Sequence, residues 1–146
     1  MDIMREKELA YILKQMGLRQ DLLGYKYIIY AVSLVLDDPA KMDHITKEIY
    51  PEIAKKFNTT CQRAERAIRH AVESIFDVIP YEMMEAIFGN TVNADKGKVT
   101  NAHFIAAMVE CMRLIDIPTC YTSMNNIYPV SDHVKEMVKE WSVLNG

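Results

Sequence analysis

Residues that interrupt regular structure are scarce in this chain, with five glycines and five prolines in 146 positions. That scarcity excludes a collagen-like, linker-like or low-complexity polypeptide. Long apolar runs are also missing: none approaches the roughly 20 residues that a bilayer-spanning helix needs. The opening MDIMREKE is charged where a secretory signal would carry an apolar stretch. Cysteines number three (Cys61, Cys111 and Cys120), an odd count without CxxC spacing. They make neither a disulfide framework nor a structural zinc site, and reduced thiols in a cytoplasmic protein are expected. No phosphate-binding loop, nucleophile elbow or paired-carboxylate motif is present. Four histidines (His44, His70, His103 and His133) fall outside metal-ligand spacing. These absences predict a protein that is not an enzyme, with no metal and no cofactor.

Half of the residues are hydrophobic, enough for one domain with a sizeable core. The ten methionines read as core filler before they read as an adaptable binding surface. Apolar residues recur at helical spacing nearly throughout, and no convincing strand alternation or internal repeat is found. The fold class expected is all-α: a compact multi-helix domain over 1–115, then a connector and a C-terminal amphipathic helix over 116–146. A first helix is expected from about Asp2 to Met16, ended by Gly17. A second, dense in apolar residues and so central, runs from about Asp21 to Asp37 and stops at Asp38-Pro39. Asp43 is a candidate cap for a short third helix through Tyr50. Pro80 opens a later helix that Gly89 closes. Thr100 or Asn101 caps another, through about Ile115.

The most specific stretch is 51–76, PEIAKKFNTTCQRAERAIRHAVESIF. Pro51 suits a helix start, where its missing N–H would be unpaired anyway. Ala54 is small where two helices must approach, and Phe57 gives the first of them an apolar anchor. Asn58 stands where the chain must turn sharply through a left-handed backbone. Thr59 or Thr60 can cap the helix that follows. In that helix Ala64, Ala67, Ile68, Ala71, Val72 and Ile75 form a buried stripe. Gln62, Arg66, Arg69 and Glu73 lie opposite, with Arg63 and His70 on one flank and Glu65 on the other. The pattern is that of a helix-turn-helix whose second helix docks on small apolar residues and offers guanidinium groups to a major groove. A solvated amphipathic helix has the same pattern, so spacing alone leaves both readings open.

Charge is distributed to match. Residues 41–70 hold seven basic against four acidic side chains, a local +3, and the whole chain is −3, so the remainder carries −6. A positive patch on an acidic body suits a site-specific binder better than a protein that coats nucleic acid. Arg66 is the first candidate base reader, because a guanidinium matches guanine N7 and O6 with two parallel hydrogen bonds. Arg69, Glu65 and Gln62 complete the base-reading set, with Glu65 able to accept from a cytosine amino group. Lys55, Lys56, Thr60, Arg63 and His70 are candidates for phosphate contacts, which position without specifying.

The run KEIYPEIAKKFNTTCQRAERAIRHAVE resembles the DNA-binding effector domain of the sporulation stage-zero response regulator, the master regulator of spore formation. The resemblance is dense from Ile45 to Val72, including IAKKFNTT and ERAIRHA. It is weaker through Phe88-Gly89, Thr91-Val92, Thr100-Asn101, Phe104-Ile105-Ala106 and Arg113-Leu114, and Gly24-Tyr25, Tyr27 and Ala31 fit the family's second helix. It implies a transcription regulator of double-stranded DNA, reading a TGTCGAA-like box as adjacent protomers on tandem sites. It also implies that Glu65, Arg66 and Arg69 lie on the DNA-contacting face. Cys61 and Gln62 depart from the family's small residues at the helix start. Family members touch sigma factors of RNA polymerase through the region after the recognition helix. Here that region, FDVIPYEMMEAIFG, keeps its length and loses the family's Arg-Gly-Asn turn. The family's receiver domain has no counterpart in the sequence.

The competing reading is a protein-interaction module that antagonises a related regulator or a sigma factor. Residues 116–146 depart from the family pattern. There Val134, Met137, Val138, Trp141 and Leu144 form one apolar stripe, expected to dock on the domain or to join two protomers.

Overall fold

The computed structural model describes residues 3–89 and 99–115, and every regular element among them is helical. The polar loop at 90–98, Cys120, the connector and the expected terminal helix with Val134, Met137, Val138, Trp141 and Leu144 lie outside the described residues. Helix α1 (Ile3–Met16) buries Leu9, Ile12, Leu13 and Met16. It closes at Gly17, whose φ of 94° is left-handed. The turn is held by Leu18 N–H donating to the Leu13 carbonyl and Gly17 N–H to that of Lys14, each at 3.0 Å. This double closure satisfies carbonyls that the helix end would leave unpaired.

Helix α2 (Leu23–Asp37) is the central element, packed on α1 and on three later helices, Tyr50–Lys56, Cys61–Phe76 and Asn101–Ile115. It buries Tyr27, Ile28, Ile29, Ala31, Val32 and Val35, as the density of its apolar positions predicts. It begins two residues later than expected. The Asp21 carboxylate pairs with the Arg19 guanidinium and does not cap the helix, and Leu23 stands exposed. The end is as read: Asp38 is extended and Pro39 follows.

The expectation of a third helix capped by Asp43 is corrected. A 3₁₀ turn spans Pro39–His44, a wider π turn spans Ile45–Ile49, and α3 (Tyr50–Lys56) begins only after them. Pro39, with its φ fixed and its N–H missing, lets winding start four residues before Asp43, which is left exposed inside the tight turn. Helix α4 (Cys61–Phe76) crosses α2 at Gly24. A Cβ at Gly24 would stand 2.6 Å from the Ala71 Cβ and closer still to the Ala67 carbonyl oxygen, so only glycine permits this approach.

Helix α5 (Tyr81–Phe88) follows Pro80 and ends at Gly89, φ 58°. Helix α6 (Asn101–Ile115) drives Phe104, Ile105, Met108 and Met112 into the core. Thr100 is its cap, accepting the His103 N–H at 3.1 Å. Phe88 ties three helices together, with ring centroids 5.4 Å from Phe76 and 6.0 Å from Phe104. Toward the far end of α6, Arg5 donates to the Met112 carbonyl at 3.4 Å, closing α1 onto that helix.

Candidate nucleic-acid interface

Helices α3 and α4 are joined by four residues, Phe57 to Thr60, and each has a separable task. Phe57 ends α3 and packs its ring against Tyr27 (5.1 Å between centroids) and edge-on against Tyr30 (5.7 Å). The turn is thereby pinned to α2. Asn58 takes φ 52°, the single left-handed residue other than glycine among those described. An asparagine carries this conformation at lower cost than any β-branched or bulky residue. Thr59 N–H reaches back to the Ala54 carbonyl at 2.9 Å and Phe57 N–H to that of Ile53 at 2.9 Å, closing α3 in a Schellman-type turn. Thr60 is then extended, and its hydroxyl oxygen accepts the Arg63 N–H at 3.2 Å. Of the two threonines that could cap α4, Thr60 does so.

The buried and exposed faces of α4 divide as the spacing predicts. Ala64, Ile68, Ala71, Val72 and Ile75 are buried, and Ala67 is half-buried at the crossing with Gly24. Gln62, Arg63, Arg66, Arg69, His70 and Glu73 are exposed. Glu65 lies at the edge, half-buried, with Oε1 3.1 Å from Arg69 Nη1. Arg66 pairs with no carboxylate among the described residues. The two arginines are therefore not equivalent, since Arg69 is held along the helix by Glu65 while Arg66 extends from it. An exposed pair one helical turn apart is worth about 0.3–0.5 kcal/mol. A bidentate guanine contact is worth about 1–3 kcal/mol, so the pair does not prevent Arg69 from reaching a base.

Lys55 and Lys56 occupy the last turn of α3, beside the turn that leads into α4. Both are exposed, and at a helix C-terminus each also complements the negative end of the backbone dipole. Lys56 Nζ stands 5.7 Å from the centre of the Tyr30 ring, so part of its interaction is with that face. The lysines at the end of α3, the Thr60 cap and the arginines of α4 thus all stand exposed on the helix-turn-helix unit.

Two residues of the site escaped the sequence reading. Asn101, the first residue of α6, is buried, and its amide donates to the Tyr50 hydroxyl at 3.0 Å and to the Glu65 main-chain carbonyl at 3.1 Å. Tyr50, the first residue of α3, is buried too, and loss of solvent is the main cause that raises its phenol above the ordinary value. The available signal was the Thr100-Asn101 pair. Only one of two adjacent capping residues can cap, so the other must spend its side chain elsewhere.

Among the described residues no group of three or more His, Cys, Asp or Glu side chains is placed to hold a metal ion. No helix among them is long and apolar enough to cross a membrane. Compared with known families, the chain matches the model described as Sporulation initiation factor Spo0A C terminal over residues 9–112. That span runs from the middle of α1 almost to the end of α6 and contains the whole α3–α4 unit.

Proposed function

The chain belongs to the Sporulation initiation factor Spo0A C-terminal family, a DNA-binding domain of a sporulation regulator, and we propose that it reads a TGTCGAA-like box by laying α4 in the major groove. The observation that carries this reading is the division of α4. Its docking side is made of alanines and aliphatic residues against Gly24 and the core, and its opposite side presents Gln62, Arg63, Arg66, Arg69 and His70 to solvent. Arg66 reads guanine with both guanidinium N–H donors. Arg69 leaves Glu65 to do the same at a neighbouring base, and the released Glu65 carboxylate accepts from a cytosine amino group. Gln62 meets bases nearer the N-terminus of the helix. The Thr60 oxygen is engaged in capping, but its hydroxyl hydrogen can still be donated to a phosphate. Lys55, Lys56, Arg63 and His70 neutralise further phosphates and set the register.

Adjacent protomers on tandem boxes and a sigma factor are the partners that fit this reading. The surface after α4, where Val78 and Tyr81 stand exposed, is the one a sigma factor would meet. The test is equilibrium binding of wild type and Arg66→Ala to a TGTCGAA duplex and to one with its guanines replaced. Loss of about 1–3 kcal/mol of discrimination is expected in the variant. A variant that keeps the wild-type preference shows that the reading face is wrongly assigned.

A further inference from the structure

Asn101 is buried where α3, α4 and α6 converge, and its position leaves its amide little freedom. Thr100 takes over the capping of α6, and Phe104 and Ile105 fix the helix in the core one turn later. A main-chain carbonyl can only accept, so the NH2 side of the amide must face Glu65. The Glu65 carbonyl already receives the helical N–H from four residues on, and its second lone pair takes the Asn101 donor at 3.1 Å. The same NH2 group meets the Tyr50 hydroxyl at 3.0 Å. One buried amide therefore holds both helices of the helix-turn-helix. It grips α4 at a residue whose neighbours point in opposite directions, Ala64 inward and Arg66 outward.

We infer that Asn101 is a positioning residue for DNA reading, its amide fixing the rotation of α4 so that Arg66 and Arg69 address the base edges. It touches no DNA itself. The inference rests on the major-groove reading proposed above. The physical reason is geometric: a bidentate hydrogen bond needs donor–acceptor distances near 2.9 Å and nearly linear angles, so a small roll of α4 forfeits it, whereas long flexible side chains still find phosphates. Removal of the amide should lower sequence preference and leave general affinity for DNA in place.

Asn101→Leu keeps the branched outline of the side chain at a larger volume and removes both donors, and Tyr50→Phe removes one acceptor and leaves the Glu65 contact. Both are compared with wild type on the TGTCGAA duplex and on a guanine-replaced duplex, at a temperature where unfolding curves show each protein folded. The ratio of the two affinities should fall about tenfold in Asn101→Leu and less in Tyr50→Phe. The salt dependence of binding to the replaced duplex should not change. In the Arg66→Ala background, Asn101→Leu should reduce the ratio by less than it does in wild type, because only Arg69 remains to be positioned. A lower melting temperature with an unchanged ratio means that the amide is merely structural and overturns the inference. If Asn101→Leu does not fold, Asn101→Ala, which also removes the Glu65 contact, takes its place, and an unchanged ratio there overturns the inference equally. A wild-type protein with no preference between the duplexes removes the groove reading and this inference with it. A wild-type preference that survives in both variants removes the inference alone.

Discussion

Substitution of Gly24 by alanine tests the closest approach in the fold. The added methyl would lie 2.6 Å from the Ala71 Cβ and 3.0 Å from the Ala67 carbonyl carbon. Carbon atoms prefer about 3.5–4.0 Å, so the shortfall is on the order of 1 Å. None of the opposing atoms can rotate away, since all are main chain or Cβ, and relief requires α2 and α4 to separate. The propensity gain of alanine over glycine in a helix is at most about 1 kcal/mol. Overpacking of a rigid core costs about 1–3 kcal/mol, and the absence of any flexible neighbour places this site toward the upper end. The net expectation is a loss of about 1–2 kcal/mol. At about 2–4 °C per kcal/mol for a chain of about 150 residues, thermal unfolding followed by circular dichroism should shift down by about 2–8 °C. Separation of the helices also displaces the docking side of α4, so binding to the TGTCGAA duplex should weaken at temperatures where the variant is still folded. An unchanged or raised melting temperature would show that propensity wins and that α2 and α4 do not meet this closely.

Lys55→Ala with Lys56→Ala should weaken all duplexes alike and flatten the slope of log affinity against log salt by about 0.9 for each phosphate no longer neutralised; an unchanged slope means that these lysines face only water and, for Lys56, the Tyr30 ring. Asn58→Ala should lower stability to urea by about 1–2 kcal/mol because of the left-handed backbone, and Asn58→Gly should not, so equal losses in the two would show that the side chain matters more than the backbone. Burial pushes the Cys111 thiol up to about 12 from 9.0, so the unfolded chain loses this proton first. Its contribution to stability is complete below the unfolded value and is lost as pH rises toward the folded one, with a slope of about 1.4 kcal/mol per pH unit. Cys111→Ala should remove that part of the alkaline sensitivity, and urea midpoints measured between neutral and strongly alkaline pH decide whether it does.

Much of this architecture was legible because local chemistry and tertiary packing agree. Gly17, Pro39, Pro80 and Gly89 mark helix ends in the sequence, and each marks one in the fold. Asn58 and Thr60 could be assigned because a left-handed turn and an extended cap each tolerate few residue types. The α4 stripe was legible because alanine and aliphatic positions repeat at helical spacing over about three turns. What failed was decided by competition between neighbours. Asp43 is a good cap in isolation, but Pro39 starts the winding first. The start of α2 was placed at about Asp21, but the Asp21 carboxylate pairs with Arg19 and the helix begins at Leu23. Asn101 and Tyr50 are 51 positions apart in sequence, and no periodicity reports a contact that α6 makes by folding back across α3 and α4.

The way α4 is held bears on what it can read. Long aliphatic side chains at a helix crossing can repack when a helix shifts, so such an interface tolerates small displacements. The crossing at Gly24 is between main chain and Cβ atoms, with no rotatable bond to absorb movement. The Asn101 amide and the Phe57 ring fix the same unit from two further directions. If α4 lies in a major groove as proposed, a helix so constrained has little freedom to adapt to a wrong base step, and a mismatch then costs its full hydrogen-bond energy. The charge distribution acts in the same sense. On the reading proposed, a local +3 on a chain of net −3 would keep general affinity for DNA low and leave the increment at the right box to the arginines of α4. Specificity is the ratio of these two affinities, and on the proposed reading the rigidity behind α4 and the net negative charge of the chain would raise that ratio from opposite ends.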